Sequence, residues 1–207
     1  RPLSVAVFLA YAFVFVEAII VITGLITDEP RQHSFLTGAV HHLSAVYVFE
    51  LILASVAGIC TMAGGWTRAE LLLHHGPYVV AVMMVIHAPG DYDRDRVEHW
   101  WPAMGVSLLT AANEALLIVE ALGAPAWLCS ARRVYGFSII LSLFTVEVGC
   151  YAAALARAVA AATAPSFALS RSFAFGVAGD HIVVGAIYYH GNLLRMYIRR
   201  WMRKKSA

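Results

Sequence analysis

Six long apolar runs, separated by short polar or Gly/Pro-bearing segments, organise this chain. The first extends from Pro2 to Ile26, is interrupted only by Glu17, and ends at the polar stretch Thr27 to His33. The second, about Phe35 to Met62, closes at Gly64-Gly65-Trp66-Thr67-Arg68, where paired glycines and an interfacial Trp predict a turn at a membrane surface. The third covers Ala69 to Ala88 and stops at Pro89-Gly90. Asp91 to His99, the most charged stretch, reads as a solvated loop. The fourth run begins after Trp100-Trp101-Pro102, with Pro suited to a first helical turn, and ends at Gly123-Ala124-Pro125. The fifth spans about Val134 to Ala161 and the sixth about Ser172 to Leu194, with Pro165 between them. Ala152 to Ala162 is nearly all Ala, which suits close helix packing or an amphipathic extension. A crossing needs roughly 20 apolar residues. The pattern therefore predicts an all-α membrane protein with six transmembrane helices, residues 1–207 forming a single transmembrane domain.

Composition supports that reading. Hydrophobic residues make up 60% and charged residues 14% of the chain, with a mean hydropathy of +0.71. Soluble domains carry about 25% charged residues, so this excess of apolar side chains has no soluble home. The formal charge of +2, with no basic stripe, excludes nucleic acid as a partner. Positive charge nonetheless distributes unevenly. With both termini on one side, that side collects Arg1, Arg68, Arg132, Arg133, Arg195, Arg199, Arg200, Arg203, Lys204 and Lys205, whereas Arg31, Arg94, Arg96, Arg157 and Arg171 fall opposite. The bias places both termini on the inner side. The basic tail anchors this topology and can also meet acidic lipid headgroups. Cys60, Cys129 and Cys150 have no metal-type spacing and read as small buried hydrophobes. The chain starts at Arg1 rather than Met, which fits a removed presequence, an undetected start or a renumbered beginning. Expected locations are the mitochondrial inner membrane or the endoplasmic reticulum.

Ionisable groups inside a bilayer are costly and normally face the bundle interior with a partner or a task. Helical rise puts Glu50, His74, His75, Asn113 and Glu114 at one depth, roughly 10 Å from the inner side. Glu70 stands at i, i+4 from His74 and could orient its imidazole. A second layer, nearer the outer side, comprises Glu17, His41, His42, His87, Glu147, Asp180 and His181. Adjacent histidines differ by about 100° around a helix, so one of each pair is expected to be structural. These layers suit either interhelical hydrogen bonding that specifies packing or a reactive, ligand-binding cluster. A proton or solute pathway through the outer layer is a further reading.

No metal is expected. Haem needs imidazoles opposed across the ring from two helices. The His74 to His87 spacing provides half of such a ladder, but thirteen residues beyond His41 and His42 stand Ala54 and Ser55. The HxxxH and HxxHH boxes of di-iron membrane oxygenases are absent.

The run Glu70-Leu71-Leu72-Leu73-His74-His75-Gly76-Pro77-Tyr78 resembles the paired-histidine segment of the TLC domain family, which contains the ceramide synthases. Tyr47-Val48-Phe49-Glu50-Leu51 is similar to that family's aromatic and acidic segment on the preceding helix, and Asn113-Glu114 stands where the next helix carries polar residues. Arg132-Arg133-Val134-Tyr135-Gly136-Phe137 resembles the start of a later helix, and the basic tail after Met196-Tyr197 the usual ending. The likeness covers about residues 35–205. It implies a helical bundle around a lipid-accessible cavity lined by Glu50, His74, His75, Asn113 and Glu114, with a bound phospholipid or acyl chain as the expected ligand and His74 and His75 catalytic if the protein is active.

One departure redirects this expectation. Ceramide synthases carry two aspartates three apart on the helix after the histidines, whereas this chain reads Thr110-Ala111-Ala112-Asn113-Glu114-Ala115-Leu116. Acyl transfer with histidine as base or transient acyl carrier is thereby disfavoured. The leading expectation is a TLC-like protein that binds or acts on lipid. Its alternative is an accessory subunit of a larger respiratory or photosynthetic membrane complex, whose partners would be the neighbouring subunits as well as membrane lipids.

Overall fold

A computed structural model describes residues 2–57, 68–86 and 91–205. These residues form helices without strands: α1 (Pro2–Ile22), α2 (Glu29–Ile52), α3 (Arg68–Ile86), α4 (Asp91–Leu108), α5 (Thr110–Ala121), α6 (Ala126–Ala162) and α7 (Arg171–Lys205). A π-helical turn, Leu53–Ala57, continues α2. Four stretches among the described residues are long and apolar enough to cross a membrane: Leu3–Ile22, Pro30–Val56, His99–Ala121 and Ala126–Ala162. Together they mark an integral membrane protein. The Leu71–Met84 stretch of α3 is apolar but shorter. The turn expected at Gly64-Gly65, the stop at Pro89-Gly90, and His87 lie outside the described residues.

The chain divides into two compact units. Unit 1 comprises residues 1–79 and 104–136, and unit 2 residues 80–103 and 137–207. In unit 1, α1 packs against α2 and α5. Its core includes Tyr11, Val14, Ala18, Val40, Leu43 and Ile118, all fully buried or nearly so. The opposite face of α1 presents Leu9, Phe13, Val16 and Ile22, each more than half exposed. Such a ring of exposed large apolar side chains has hydrocarbon as its natural solvent.

Three boundaries differ from expectation. Asp91 to His99 is the opening of α4 rather than a loop. Acidic residues suit the start of a helix and opposite charges suit helical spacing, so a dense charged run does not by itself mark a loop. Pro102 consequently stands inside α4 and not in its first turn. α6 begins at Ala126, eight residues before the expected Val134. Gly123, with a φ of 100°, ends the preceding helix where an L side chain would be strained, and the Pro125 carbonyl accepts from Leu128 and Cys129 to start the next.

Unit 2 is organised by antiparallel packing of α6 and α7. Phe137 meets Tyr197, Tyr151 meets His181, and Glu147 binds His190. A Cβ on Gly191 would lie 3.2 Å from the Phe144 ring, so the missing side chain permits this close approach. From α4, the Trp100 indole donates to Asp180 Oδ1 at 2.9 Å. Trp100→Phe removes the donor together with part of the buried ring system, and is expected to destabilise the protein by at least about 1 kcal/mol. An unchanged unfolding temperature in detergent would show that this bond contributes nothing.

Candidate functional site

The site is in unit 1, around the joint between α4 and α5. α4 ends at Leu108 and α5 starts at Thr110; Leu109 between them keeps helical backbone angles, and its N–H reaches the Val106 carbonyl in one tighter turn. Tyrosines from three helices gather at this turn, one on a backbone carbonyl and two on side-chain hydroxyls. Tyr135 of α6 donates to the Leu109 carbonyl at 2.8 Å, Tyr78 of α3 bonds Ser107 Oγ at 2.8 Å, and Tyr47 of α2 bonds Thr110 Oγ1 at 3.1 Å. Ser107 and Thr110 also return their hydroxyls to the Met104 and Ser107 carbonyls.

Around Tyr47 stand the residues singled out in the sequence. Glu50, one turn further along α2, accepts from the Tyr11 hydroxyl of α1 at 2.5 Å. The same oxygen lies 3.5 Å from His75 Nδ1. His75 is fully enclosed, its ring stacked on Tyr47 with centroids 3.8 Å apart and planes within 9°. His74 is only partly buried, with its ring centroid 5.0 Å from that of His75 and 6.5 Å from that of Tyr47. The paired histidines therefore divide in surroundings: His75 is locked among aromatic and acidic groups, and His74 is the more accessible. Glu70, expected to orient His74, has its side chain outside the described residues.

From α5, Asn113 Nδ2 donates to Glu114 Oε1 at 3.5 Å. Both side chains are buried. Glu114 is within electrostatic reach of Glu50, Tyr11, Tyr47 and Arg132. Asn113 Oδ1 and Glu114 Oε2 have no hydrogen-bond partner among the described residues. Arg132 itself pairs with Glu120, tying the start of α6 to the end of α5. The five expected residues, Glu50, His74, His75, Asn113 and Glu114, thus come together in one unit, with adjacent backbone tightened at Leu109 and π-helical at Leu53–Ala57. Such interruptions of regular helix recur at intramembrane binding sites.

Sequence reading missed Tyr11 and Tyr135 as members of this network. Tyr11 is the only tyrosine of the first run, and its polar tip amid aliphatic residues was the available signal.

The second polar layer separates into local pairs. Glu17 receives His42 Nδ1 at 2.8 and 3.1 Å within unit 1. Glu147 meets His190 at 2.8 Å in unit 2, where Asp180 is held by Trp100. His41 bonds the Thr37 carbonyl and exposed His181 the Val177 carbonyl, each one turn back on its own helix. His190 was not anticipated, although it interrupts an apolar run as the others do. Among the described residues, no three His, Cys, Asp or Glu side chains converge closely enough to hold a metal ion. The chain matches no family model, no curated protein and no solved structure.

Proposed function

We propose that this protein is a TLC-type membrane protein, crossing the bilayer six times with both termini inside, that binds lipid at the Glu50, His74, His75, Asn113 and Glu114 site. The carrying observation is the buried pair Asn113 and Glu114, which holds acceptors unmet among the described residues, with Glu114 in the field of Glu50. Buried polar atoms without partners are costly in protein interiors, and a ligand that donates hydrogen bonds would relieve that cost. α3 and α7 would supply the two crossings beyond the four most apolar stretches. Were chemistry to occur, His74 would be the working base or nucleophile, because His75 is enclosed on every side.

The reading is tested by incorporating a lipid with a photoactivatable acyl chain and mapping the crosslinks. Labelling of α2, α3 and α5 near Glu50, His74 and Glu114 is expected. Labelling confined to outward residues of α1, such as Leu9 and Phe13, would reduce the protein to one with boundary lipid only.

A second reading, an accessory subunit of a larger membrane complex, draws on a different observation. His42 is paired with buried Glu17, yet its side chain is 54% exposed on a helix apolar enough to cross the membrane. Intramembrane ionisable groups seldom face lipid, so a neighbouring protein chain would cover this one. Purification from native membranes followed by mass measurement separates the readings: a solitary small particle rejects the subunit role.

A further inference from the structure

The outward faces of the apolar helices are not alike. On α1 the exposed positions from Leu9 onward are Leu9, Phe13, Val16, Ile19 and Ile22, all bulky, as suits a surface bathed in acyl chains. On α6 the exposed positions between Ser138 and Ala156 fall into three rows, each repeating every seventh residue. One row is large: Leu141, Val148 and Leu155. The other two are small or hydroxylated: Ser138, Thr145 and Ala152, then Ser142, Gly149 and Ala156. A turn of about 100° per residue sets the first small row roughly 50° from the large one and the second roughly 100°, on the same side. The face is thus a ridge with a groove beside it. A Cβ on Gly149 would meet nothing within 4 Å, so the groove is open in the single chain. The stretch is about 27 Å long, close to the thickness of a hydrocarbon core of about 30 Å. Behind it, Ile139, Leu143, Glu147, Cys150 and Ala154 are buried within the protein. Small residues let a second helix backbone approach closely, which is what favours helix association in lipid, and a seven-residue repeat fits a left-handed crossing of about 20°.

We propose that two copies of this chain pair through α6, side by side about a two-fold axis along the bilayer normal, with Ser138, Thr145 and Ala152 at the axis. The shape of the face selects a second copy as its occupant. Rotation by 180° about that axis carries the Leu141, Val148 and Leu155 ridge of each copy onto the Ser142, Gly149 and Ala156 groove of the other, so one surface complements itself, as a two-fold interface requires. An unlike partner would need the same ridge and groove on a helix of its own, whereas a second copy carries them already. Copies inserted in the same orientation also present these rows at equal depth, so no axial shift is needed. Charge does not oppose the pairing. Between residues 138 and 156 the one charged side chain is Glu147, which is buried against His190 within unit 2. Nor does Thr145 bring an unmet donor to the axis, because its hydroxyl donates to the Leu141 carbonyl at 2.8 Å.

Two measurements on the full chain test this. In the first, the fluorescently labelled protein is diluted into phosphatidylcholine vesicles and the copies in each spot are counted by photobleaching. The unaltered chain is expected to be mostly paired, and Gly149→Leu, which fills the groove without touching its own chain, to weaken pairing at least about tenfold. A chain that stays single at every dilution overturns the proposal. Pairing that Gly149→Leu leaves unchanged overturns the choice of face. In the second, Cys60, Cys129 and Cys150 are replaced by Ala, and either Thr145→Cys or Phe13→Cys is added and oxidised in the membranes of expressing cells, where all copies insert alike. A disulfide-linked dimer is expected from Thr145→Cys and not from the α1 face. Equal linkage at both positions reports random collision, and linkage of Thr145→Cys to a different chain reports an unlike partner; either result overturns the proposal. The dilution series keeps the native cysteines, so it decides the matter even if their replacement unfolds the protein.

Discussion

Glu50→Leu protein is expected to unfold about 1–3 kcal/mol more readily than the unaltered chain, the cost of leaving a buried hydroxyl without its acceptor. The Tyr11 hydroxyl donates to Glu50 Oε2 at 2.5 Å and loses that acceptor. In membranes the average interhelical hydrogen bond contributes only about 0.6 kcal/mol, because the unfolded chain finds other partners. Two features place this case above that average. Tyr11, Glu50 and His75 are at most 1% exposed, so neither water nor lipid headgroup replaces the lost group. The same carboxylate oxygen lies 3.5 Å from His75 Nδ1 of α3, so one substitution alters the setting of a second helix as well. Glu50→Gln retains an acceptor oxygen and should cost about half as much. Thermal or denaturant unfolding in detergent measures both, with Tyr11→Phe completing a double-mutant cycle. If Tyr11→Phe costs the same with or without Glu50, the two do not act together and the proposed linkage fails.

In unit 2 the largest effect is expected from Glu147 and His190. Each is at least nine-tenths buried, and they meet at 2.8 Å between α6 and α7. Removing one partner strands the other in an apolar setting, at about 2–3 kcal/mol for either Glu147→Leu or His190→Leu. Removing both leaves no stranded group, and well-packed apolar replacements of buried pairs are often close to neutral. The double variant should therefore be less destabilised than the two single variants added together, by about 1–2 kcal/mol. Strict additivity would mean that these residues stabilise the helix pair independently. Lipid retention at unit 1 should be unchanged in all three variants, because neither residue belongs to that unit.

The candidate site was partly legible because depth along a helix is linear in residue number. Glu50, His74, His75, Asn113 and Glu114 interrupt apolar runs at similar distances from a boundary, and no tertiary knowledge is needed to place them in one layer. Depth carries no information about azimuth. That His75 turns inward against Tyr47 and Glu50 while His74 stays partly exposed depends on how α3 is rotated against its neighbours. The same limit explains the second layer, whose members share a depth but pair separately within the two units. Tyr11 escaped for a different reason: tyrosine is equally at home as an apolar filler or at an interface, so its hydroxyl gains meaning only when an acceptor from another helix arrives.

Charge misled the reading at Asp91 to His99. A dense run of acids and arginines is compatible with both a solvated loop and a helix opening, since the same residues solvate well and complement a helix dipole. The fifth apolar run starts at about Val134, but the helix that carries it starts eight residues earlier, so Arg132 is inside α6 and bound to Glu120 of α5.

By itself, the sequence determined the solvent this protein is made for, the helical character of nearly every segment, and the polar residues that must find partners. Those follow from local quantities, namely apolar length, backbone hydrogen bonding in hydrocarbon, and the cost of burying charge. Only tertiary structure decided which partners they find. It paired Glu50 with Tyr11, stacked His75 on Tyr47, gave the Leu109 carbonyl the Tyr135 hydroxyl, and left Asn113 and Glu114 with acceptors unmet among the described residues. Helix rotation and close packing set these relations, and neither is written in the order of residues along one chain.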